Sequence, residues 1–132
     1  MPTADSAPIR IGTARDAANL LAPTFAGAAR ERLAVLYLGS DGTVLCVSET
    51  RLGGEVSIDL PLRAIIAEAL RLNATGLILA HNHPSGDPMP SAADQAATGT
   101  LIRVAGELGI QIHDHLIFAG GECRSFRALG LL

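Results

Sequence analysis

Apolar residues follow two spacings along the chain, and each spacing predicts a different kind of element. Short runs rich in Leu, Ile and Val predict strands at residues 33–38, 43–48, 76–80, 110–119 and 123–126. Apolar positions three and four apart predict helices that begin near Thr13, near Pro61 and at Ser91. Because strands and helices alternate, the pattern predicts an α/β domain with a mixed sheet and helices on its faces.

Turn-forming residues set the expected limits of these elements. Residues 39–42 (Gly-Ser-Asp-Gly) predict a hairpin turn between the first two strands, and Gly53 with Gly54 interrupts the chain after the second. Pro23 is expected to disturb or end the first helix, with a second short helical run reaching Ala29. The second helix is expected to face inward through an apolar stripe of Leu62, Ile65, Ile66, Ala69 and Leu70.

The composition limits the chain to one compact domain. With 132 residues, of which 48% are hydrophobic, it has enough apolar surface for a real core, and a second domain does not fit. We expect a flexible N-terminal arm over residues 1–12 and a single domain over residues 13–132. No apolar run approaches the roughly 20 residues that a membrane helix needs, so no membrane insertion is expected. Cys46 and Cys123 lack the spacing of a metal-binding or redox pair, and as reduced thiols they suit a cytoplasmic protein.

The charged residues exclude several functions. All ten basic residues are arginine, and the formal net charge is -3. A chain without lysine has neither a Walker-type phosphate loop nor a Schiff-base lysine. The arginines are scattered apart from two close pairs, so the clustered cations that strong nucleic-acid binding requires are missing. Nucleic acid is therefore not the expected direct substrate.

A candidate metal site lies between residues 81 and 94. His81 and His83 follow a predicted strand, and the alternation of a strand directs both imidazoles to the same side. The Pro-Ser-Gly-Asp-Pro segment at residues 84–88 cannot continue a strand or a helix, so the chain turns and can bring Asp94 back as a third ligand. Two imidazoles, one carboxylate and an open fourth position are typical of catalytic zinc, whose bound water has a pKa of about 7. The site therefore predicts metal-assisted hydrolysis.

Two further functions need side chains beside the ion. A carboxylate must take a proton from the water and pass it to the leaving nitrogen. Glu31 precedes the first strand and Glu49 ends the second, so the hairpin would bring both to the same sheet edge, and their spacing does not choose between them. Ser91 stands one turn before Asp94 at a helix start, where the N-H groups and the dipole favour negative charge. Ser91 can therefore support an oxyanion, act as an N-cap, or do both.

The segment from His81 to Asp94 resembles the JAMM (MPN-plus) metalloprotease motif, a Glu followed far downstream by His-x-His-x7-Ser-x2-Asp. The run from His81 to Asp87, together with Asp114-His115, is similar to the bacterial RadC family. The similarity extends over nearly the whole chain, from about residue 11 to residue 132.

This resemblance implies a three-layer α/β/α fold of the cytidine-deaminase-like JAB/MPN type and a peptide or protein substrate. It also implies a Zn²⁺ ion held by His81, His83 and Asp94, with oxyanion support from Ser91. The family's Glu stands immediately before an apolar strand, which favours Glu31 as the base. Where RadC proteins usually have Gly-Thr and later His-Pro-Arg-Glu, residues 54–55 are Gly-Glu and residues 60–63 are Leu-Pro-Leu-Arg, so the substrate preference is left open.

Other functions remain as alternatives. RadC proteins carry the label of DNA repair, which suggests a non-catalytic DNA-associated accessory module, and a metal-dependent nuclease is a further hypothesis. The His81-Asn82-His83 tripeptide is not an HNH nuclease motif, because that motif is spread over a hairpin and a helix. His113 and His115 form a second His-x-His pair, whose rings would point the same way on a regular strand. A turn or a supporting role behind the metal ligands is favoured for this pair over a second metal site.

Overall fold

The computed structural model describes residues 7–51 and 60–132, which form one five-stranded sheet and three helices. In chain order the elements are α1 (Ala14–Phe25), β1 (Arg32–Leu38), β2 (Val44–Arg51), α2 (Leu62–Leu72), β3 (Gly76–Asn82), α3 (Ala92–Glu107), β4 (Gln111–Ala119) and β5 (Glu122–Ser125). The strand order is β2-β1-β3-β4-β5. The β3–β4 pair is parallel and the other neighbours are antiparallel. The predicted mixed sheet is therefore confirmed.

Helices cover both faces of this sheet, so the predicted three layers are also confirmed. α1 packs on one face through Leu21 and Phe25, where it buries side chains of β1, β3 and β4. α2 and α3 cover the other face through Ile65 and Leu101. The two apolar cores on either side of the sheet supply the burial that stabilises the fold.

Strand alternation on β3 decides which face each site residue reaches. Leu79 belongs to the core under α2 and α3, and Ala80 belongs to the core under α1. β3 continues two residues past its predicted end at residue 80, and all seven of its residues are buried. His81 therefore faces α2 and α3, whereas Asn82 faces α1.

The helix limits follow capping residues. α1 and α3 begin at capping boxes, formed by Thr13 with Asp16 and by Ser91 with Asp94, as the sequence predicts. α2 ends at Asn73, which adopts the left-handed conformation with φ 58°. These caps satisfy backbone groups that have no partner inside their helices.

Two helix predictions are wrong. α1 neither ends at Pro23 nor restarts after it, because it continues unbroken to Phe25. Pro23 removes the hydrogen bond that an N-H at this position would donate to the carbonyl of Asn19, but only two residues of the helix follow it. Phe25 holds this last turn in place by stacking on Phe118, with ring centroids 4.9 Å apart. Leu70, predicted to face inward, is 55% exposed because it lies at the margin of the helical stripe.

Some expectations fall at the margins of the described chain. Residues 1–6 of the expected arm, and the Gly53, Gly54 and Glu55 positions, lie outside the described residues. Near the arm's end, Ile11 donates its N-H to the carbonyl of residue 42 at 2.9 Å, so this part is attached to the hairpin. Among residues 7–51 and 60–132, every helix is too short or too polar to cross a membrane. The two cysteines are free and partly buried.

Candidate metal centre

Three candidate ligands meet where β3 ends and α3 begins. His81 is the second-last residue of β3, His83 follows the strand, and Asp94 lies in the first turn of α3. The Nε2 atoms of His81 and His83 are 3.0 Å apart. The Asp94 carboxylate oxygens lie 3.4 Å from Nε2 of His81 and 3.0 Å from Nε2 of His83. One ion can therefore reach all three side chains.

These separations and donor types fit zinc. With Zn–N and Zn–O bonds of roughly 2.1 Å, ligand atoms at two corners of a tetrahedron are about 3.4 Å apart. Neutral imidazole and carboxylate are both ordinary zinc ligands. The side chains of His81 and Asp94 are 0% and 3% exposed, so they would bind the ion in a largely dry site.

The other ring nitrogen of each histidine is already engaged. Nδ1 of His83 lies 2.7 Å from the carbonyl oxygen of Asp87, and because a carbonyl only accepts, Nδ1 carries the hydrogen. Nδ1 of His81 lies 2.7 Å from Nε2 of His115, and Nδ1 of His115 lies 2.7 Å from Oγ1 of Thr98. When His81 donates to His115 and His115 donates to Thr98, Nε2 of His81 keeps its lone pair for the metal. Nε2 of His83 keeps its lone pair too, because the hydrogen of that ring is on Nδ1.

His115 is the buried residue behind His81. It is fully buried and stacks on Phe126, with ring centroids 4.6 Å apart. Burial, with the neighbouring charge of His81, holds the pKa of His115 well below its usual value of 6.5. A neutral ring offers one acceptor nitrogen, which the His81 N-H requires. This arrangement matches the supporting role that the sequence favoured for the second histidine pair.

Thr98 is the last member of this series of hydrogen bonds, and sequence reasoning missed it. Its hydroxyl is buried against His115, and the residue lies four positions after Asp94 on α3. Residues four apart share a helix face, so a polar residue one turn after a predicted ligand was the available signal.

Asp94 is held in place by the start of α3. Its Oδ2 accepts the Ser91 N-H at 2.8 Å, and its own N-H donates to Oγ of Ser91 at 3.0 Å. Burial raises the pKa of Asp94, but in the metal-free protein the neighbouring His81 ring and the hydrogen bonds with Ser91 outweigh it, so the pKa lies well below its usual range. The carboxylate is therefore charged at neutral pH. Ser91 acts as the N-cap, and its hydroxyl keeps a hydrogen that it can donate.

The sheet separates the two candidate bases. Glu31 has a carboxylate oxygen within 4.8 Å of ring nitrogens of His81 and His83. Glu49 pairs with Ala34 on the α1 face and accepts a hydrogen bond from Thr24 at 2.6 Å. Both glutamates lie toward the same end of the β1–β2 hairpin, as the sequence predicts. Position 49 faces α1, however, so the two carboxylates lie on opposite faces of the sheet. The structure places Glu31, and not Glu49, beside the histidines.

An irregularity in β4 splits the second histidine pair. The β3–β4 register shifts so that Leu77 pairs with Ile112 but Ile78 pairs with Asp114, which leaves His113 as an extra residue on β4. His115 consequently faces α3, while His113 lies over Gly76 on the other side. The expectation for a regular strand, with both rings pointing one way, is therefore not met.

Comparison with known proteins agrees with the resemblance seen in the motif. The family model described as a RadC-like JAB domain matches residues 11–131. A curated "UPF0758 protein" from Rhodobacter capsulatus is 42% identical over 102 residues, which are 77% of this chain and 48% of that protein. The chain thus spans about half the length of this relative. The family match includes all the candidate site residues described above.

Proposed function

Because this chain belongs to the RadC-like JAB domain family, we propose that it is a zinc-dependent hydrolase of peptide or isopeptide bonds. The observation that carries the proposal is the convergence of His81, His83 and Asp94 with Glu31 at their side. The first three residues would hold the zinc ion. Structural zinc sites fill all four positions, usually with cysteines, whereas these three ligands leave a position for a reactant.

Each residue has a defined part in the proposed reaction. A zinc ion in this site would lower the pKa of a coordinated water to about 7 and polarise the amide carbonyl. The Glu31 carboxylate accepts a proton from the attacking water and donates it to the leaving nitrogen. The Ser91 hydroxyl donates to the carbonyl oxygen as that oxygen becomes negative, and the N-terminal dipole of α3 favours the same charge.

The proposed substrate is a peptide or protein. A cavity of about 620 Å³ lies on the α1 side of the sheet, with His83 in its wall and Phe25 and Phe118 on its apolar side. Of the proposed ligands His83 reaches this cavity, so a side chain of the substrate would have to pass His83 to enter it. We place this activity in a reducing cytoplasm, since both cysteines are free thiols.

Metal content and hydrolysis together test the proposal. The wild-type protein should bind one zinc per chain, and His81→Ala should lose it. Wild-type protein reloaded with zinc should cleave members of a mixed peptide and isopeptide library, followed by mass spectrometry. Glu31→Gln should lower the rate by about 10²- to 10⁴-fold, the usual contribution of a general base, with zinc retained.

Glu49→Gln is the matched control for the base. It removes the same charge but lies on the α1 face, so its rate should equal that of the wild type. A Glu31→Gln protein that hydrolyses normally would overturn the assignment of the base. Salt-sensitive DNA binding or DNA cleavage by the same samples, without peptide hydrolysis, would favour the accessory-module or nuclease hypotheses.

A further inference from the structure

The residue between the two ligand histidines is bonded to the backbone on both sides of Glu31. Asn82 ends β3 and is 4% exposed. Its Oδ1 accepts the N-H of Arg32 at 2.7 Å, and its Nδ2 donates to the carbonyl of Arg30 at 3.0 Å. One side-chain amide therefore bonds to both peptide groups that flank the Cα atom of Glu31.

These two bonds fix the backbone of Glu31 directly. The Arg30 carbonyl belongs to the peptide plane before the Glu31 Cα, and the Arg32 N-H belongs to the plane after it. The orientations of these planes are the φ and ψ angles of Glu31. With both planes tied to one amide, the direction of the Glu31 side chain is set by the end of β3, which also carries His81.

Among the residues that the structure describes, the β1–β3 ladder does not extend to Glu31. The β1–β3 pairing ends with Leu33 opposite His81, and Glu31 lies two residues before that pair. The side-chain amide of Asn82 presents an acceptor and a donor as a backbone peptide would, so it prolongs the pairing by one step. Since Asn82 points to the α1 face, it is free for this task while its neighbours His81 and His83 point to the metal site.

We infer that Asn82 is the positioning residue for the catalytic carboxylate, which it holds beside the metal ligands by clamping the peptide groups on either side of Glu31. The inference rests on the proposed function, in which Glu31 transfers the proton. Asn82 itself touches neither metal nor substrate in this role. Its loss should leave the metal ligands in place and misplace Glu31.

Two variants separate the parts of the clamp. Asn82→Leu keeps the volume but loses both hydrogen bonds. Asn82→Asp keeps an acceptor for the Arg32 N-H and loses the donor to the Arg30 carbonyl. Ile78→Val is the matched control, because Ile78 lies on the same face of β3, opposite Leu36, and its truncation weakens the core four residues away from Asn82.

The experiment uses full-length protein loaded with Co²⁺, whose visible absorption bands respond to what binds at the open coordination position. The pH midpoint of the band change is measured for the wild type, Glu31→Gln, both Asn82 variants and the double variant Glu31→Gln/Asn82→Leu. In parallel, the hydrogen exchange rate of the Arg32 amide is measured on metal-free protein. Zn²⁺ affinity is measured by competition with a chelator.

The inference predicts that Asn82→Leu shifts the midpoint in the same direction as Glu31→Gln, with Asn82→Asp in between and Zn²⁺ affinity within about threefold of the wild type. The double variant should match Glu31→Gln alone, because Asn82 acts through Glu31. The Arg32 amide should exchange about tenfold faster or more in Asn82→Leu, as expected for the loss of one hydrogen bond. Ile78→Val should keep the wild-type midpoint.

Wild-type midpoints in both Asn82 variants, or a double variant that shifts further than Glu31→Gln, would overturn the role of Asn82 and leave the hydrolase proposal intact. A normal midpoint in Glu31→Gln would remove Glu31 as the base, and the role of Asn82 with it. A wild-type protein that binds no Co²⁺ or Zn²⁺ would remove the proposed function itself. Each failure is thus visible in a different sample.

Discussion

The chain contains His-x-His twice, and the rings lie together in one pair and on opposite faces of the sheet in the other. His81 and His83 bring their Nε2 atoms to 3.0 Å from one another, next to Asp94. His113 and His115 end on opposite faces of the sheet, because β4 carries one extra residue between its pairings with Leu77 and Ile78. The same spacing therefore produces a metal site at one strand and a split pair at its neighbour.

The comparison shows what spacing can and cannot predict. Alternation holds only while a strand is regular, and one bulge reverses the facing of every residue before it relative to those after it. Here the bulge is useful to the site. It lets His115 reach behind His81 while Asp114 accepts the backbone N-H of Arg127 and ties the C-terminal segment to β4.

The largest expected difference between the pairs is in metal binding. His81→Ala removes a direct ligand and should weaken Zn²⁺ binding by more than about 100-fold, beyond the range of supporting residues. His113→Ala should leave the affinity unchanged, because its ring lies on the other face. Chelator competition measures both. Equal losses in the two variants would contradict the separation of the pairs.

His115 should have a smaller effect that acts through His81. His115→Phe keeps an aromatic ring for stacking on Phe126 but removes the acceptor for Nδ1 of His81. Zn²⁺ affinity should fall by about 10- to 100-fold, the usual loss for a residue behind a ligand. Thr98→Val, nearly equal in shape, should give a smaller loss in the same titration. Wild-type Zn²⁺ affinity in His115→Phe would mean that the hydrogen bond from His81 to His115 does not orient the His81 ring.

The pH dependence of stability should report on His115, which is more deeply buried than His113. Since the pKa of buried His115 is lowered, the unfolded chain binds a proton below pH 6.5 that the folded chain does not. Stability of the metal-free protein should therefore fall as pH drops below 6.5, by up to about 1.4 kcal/mol per pH unit from this residue. Urea unfolding between pH 7 and 5 measures the slope. His115→Phe should make the slope less steep, with the lowered pKa of His113 still contributing, and an unchanged slope would contradict a neutral His115.

The smallest effect is expected where His113 meets β3. A Cβ atom at position 76 would lie 2.3 Å from Nε2 of His113, so Gly76→Ala must displace that ring. The substitution should cost about 1 kcal/mol of unfolding free energy. In a His113→Ala background the cost should largely disappear, which a double-mutant cycle by urea unfolding would show. Full additivity would place His113 elsewhere.

Sequence reasoning predicted the architecture well because its signals were local. The apolar runs, the Gly39 to Gly42 turn and the capping residues specify the elements, and their alternation predicted the mixed sheet with helices on its faces. The resemblance to the RadC family is confirmed by the match over residues 11–131. The errors at Pro23 and Leu70 are local too, since tertiary packing of Phe25 and the margin of a helical stripe decided them.

The site was harder to predict where contacts join distant segments. Spacing identified His81, His83 and Asp94 as candidate ligands. It could not choose between Glu31 and Glu49, because that choice depends on the face of the sheet toward which each side chain points. Thr98 offered one signal, its position one helical turn after Asp94, and Asn82 offered none as an isolated polar residue. Their parts become visible only when α3 lies against β4, and when the end of β3 reaches the backbone before β1.

The most direct test of the metal centre is a crystal structure of the protein grown with zinc, with anomalous data collected at the zinc absorption edge. The account predicts one strong peak within bonding distance of Nε2 of His81, Nε2 of His83 and a carboxylate oxygen of Asp94, with the Glu31 carboxylate facing the remaining position. A fully occupied zinc peak away from these residues, or His81 and His83 turned apart with Asp94 bound to neither, would contradict it.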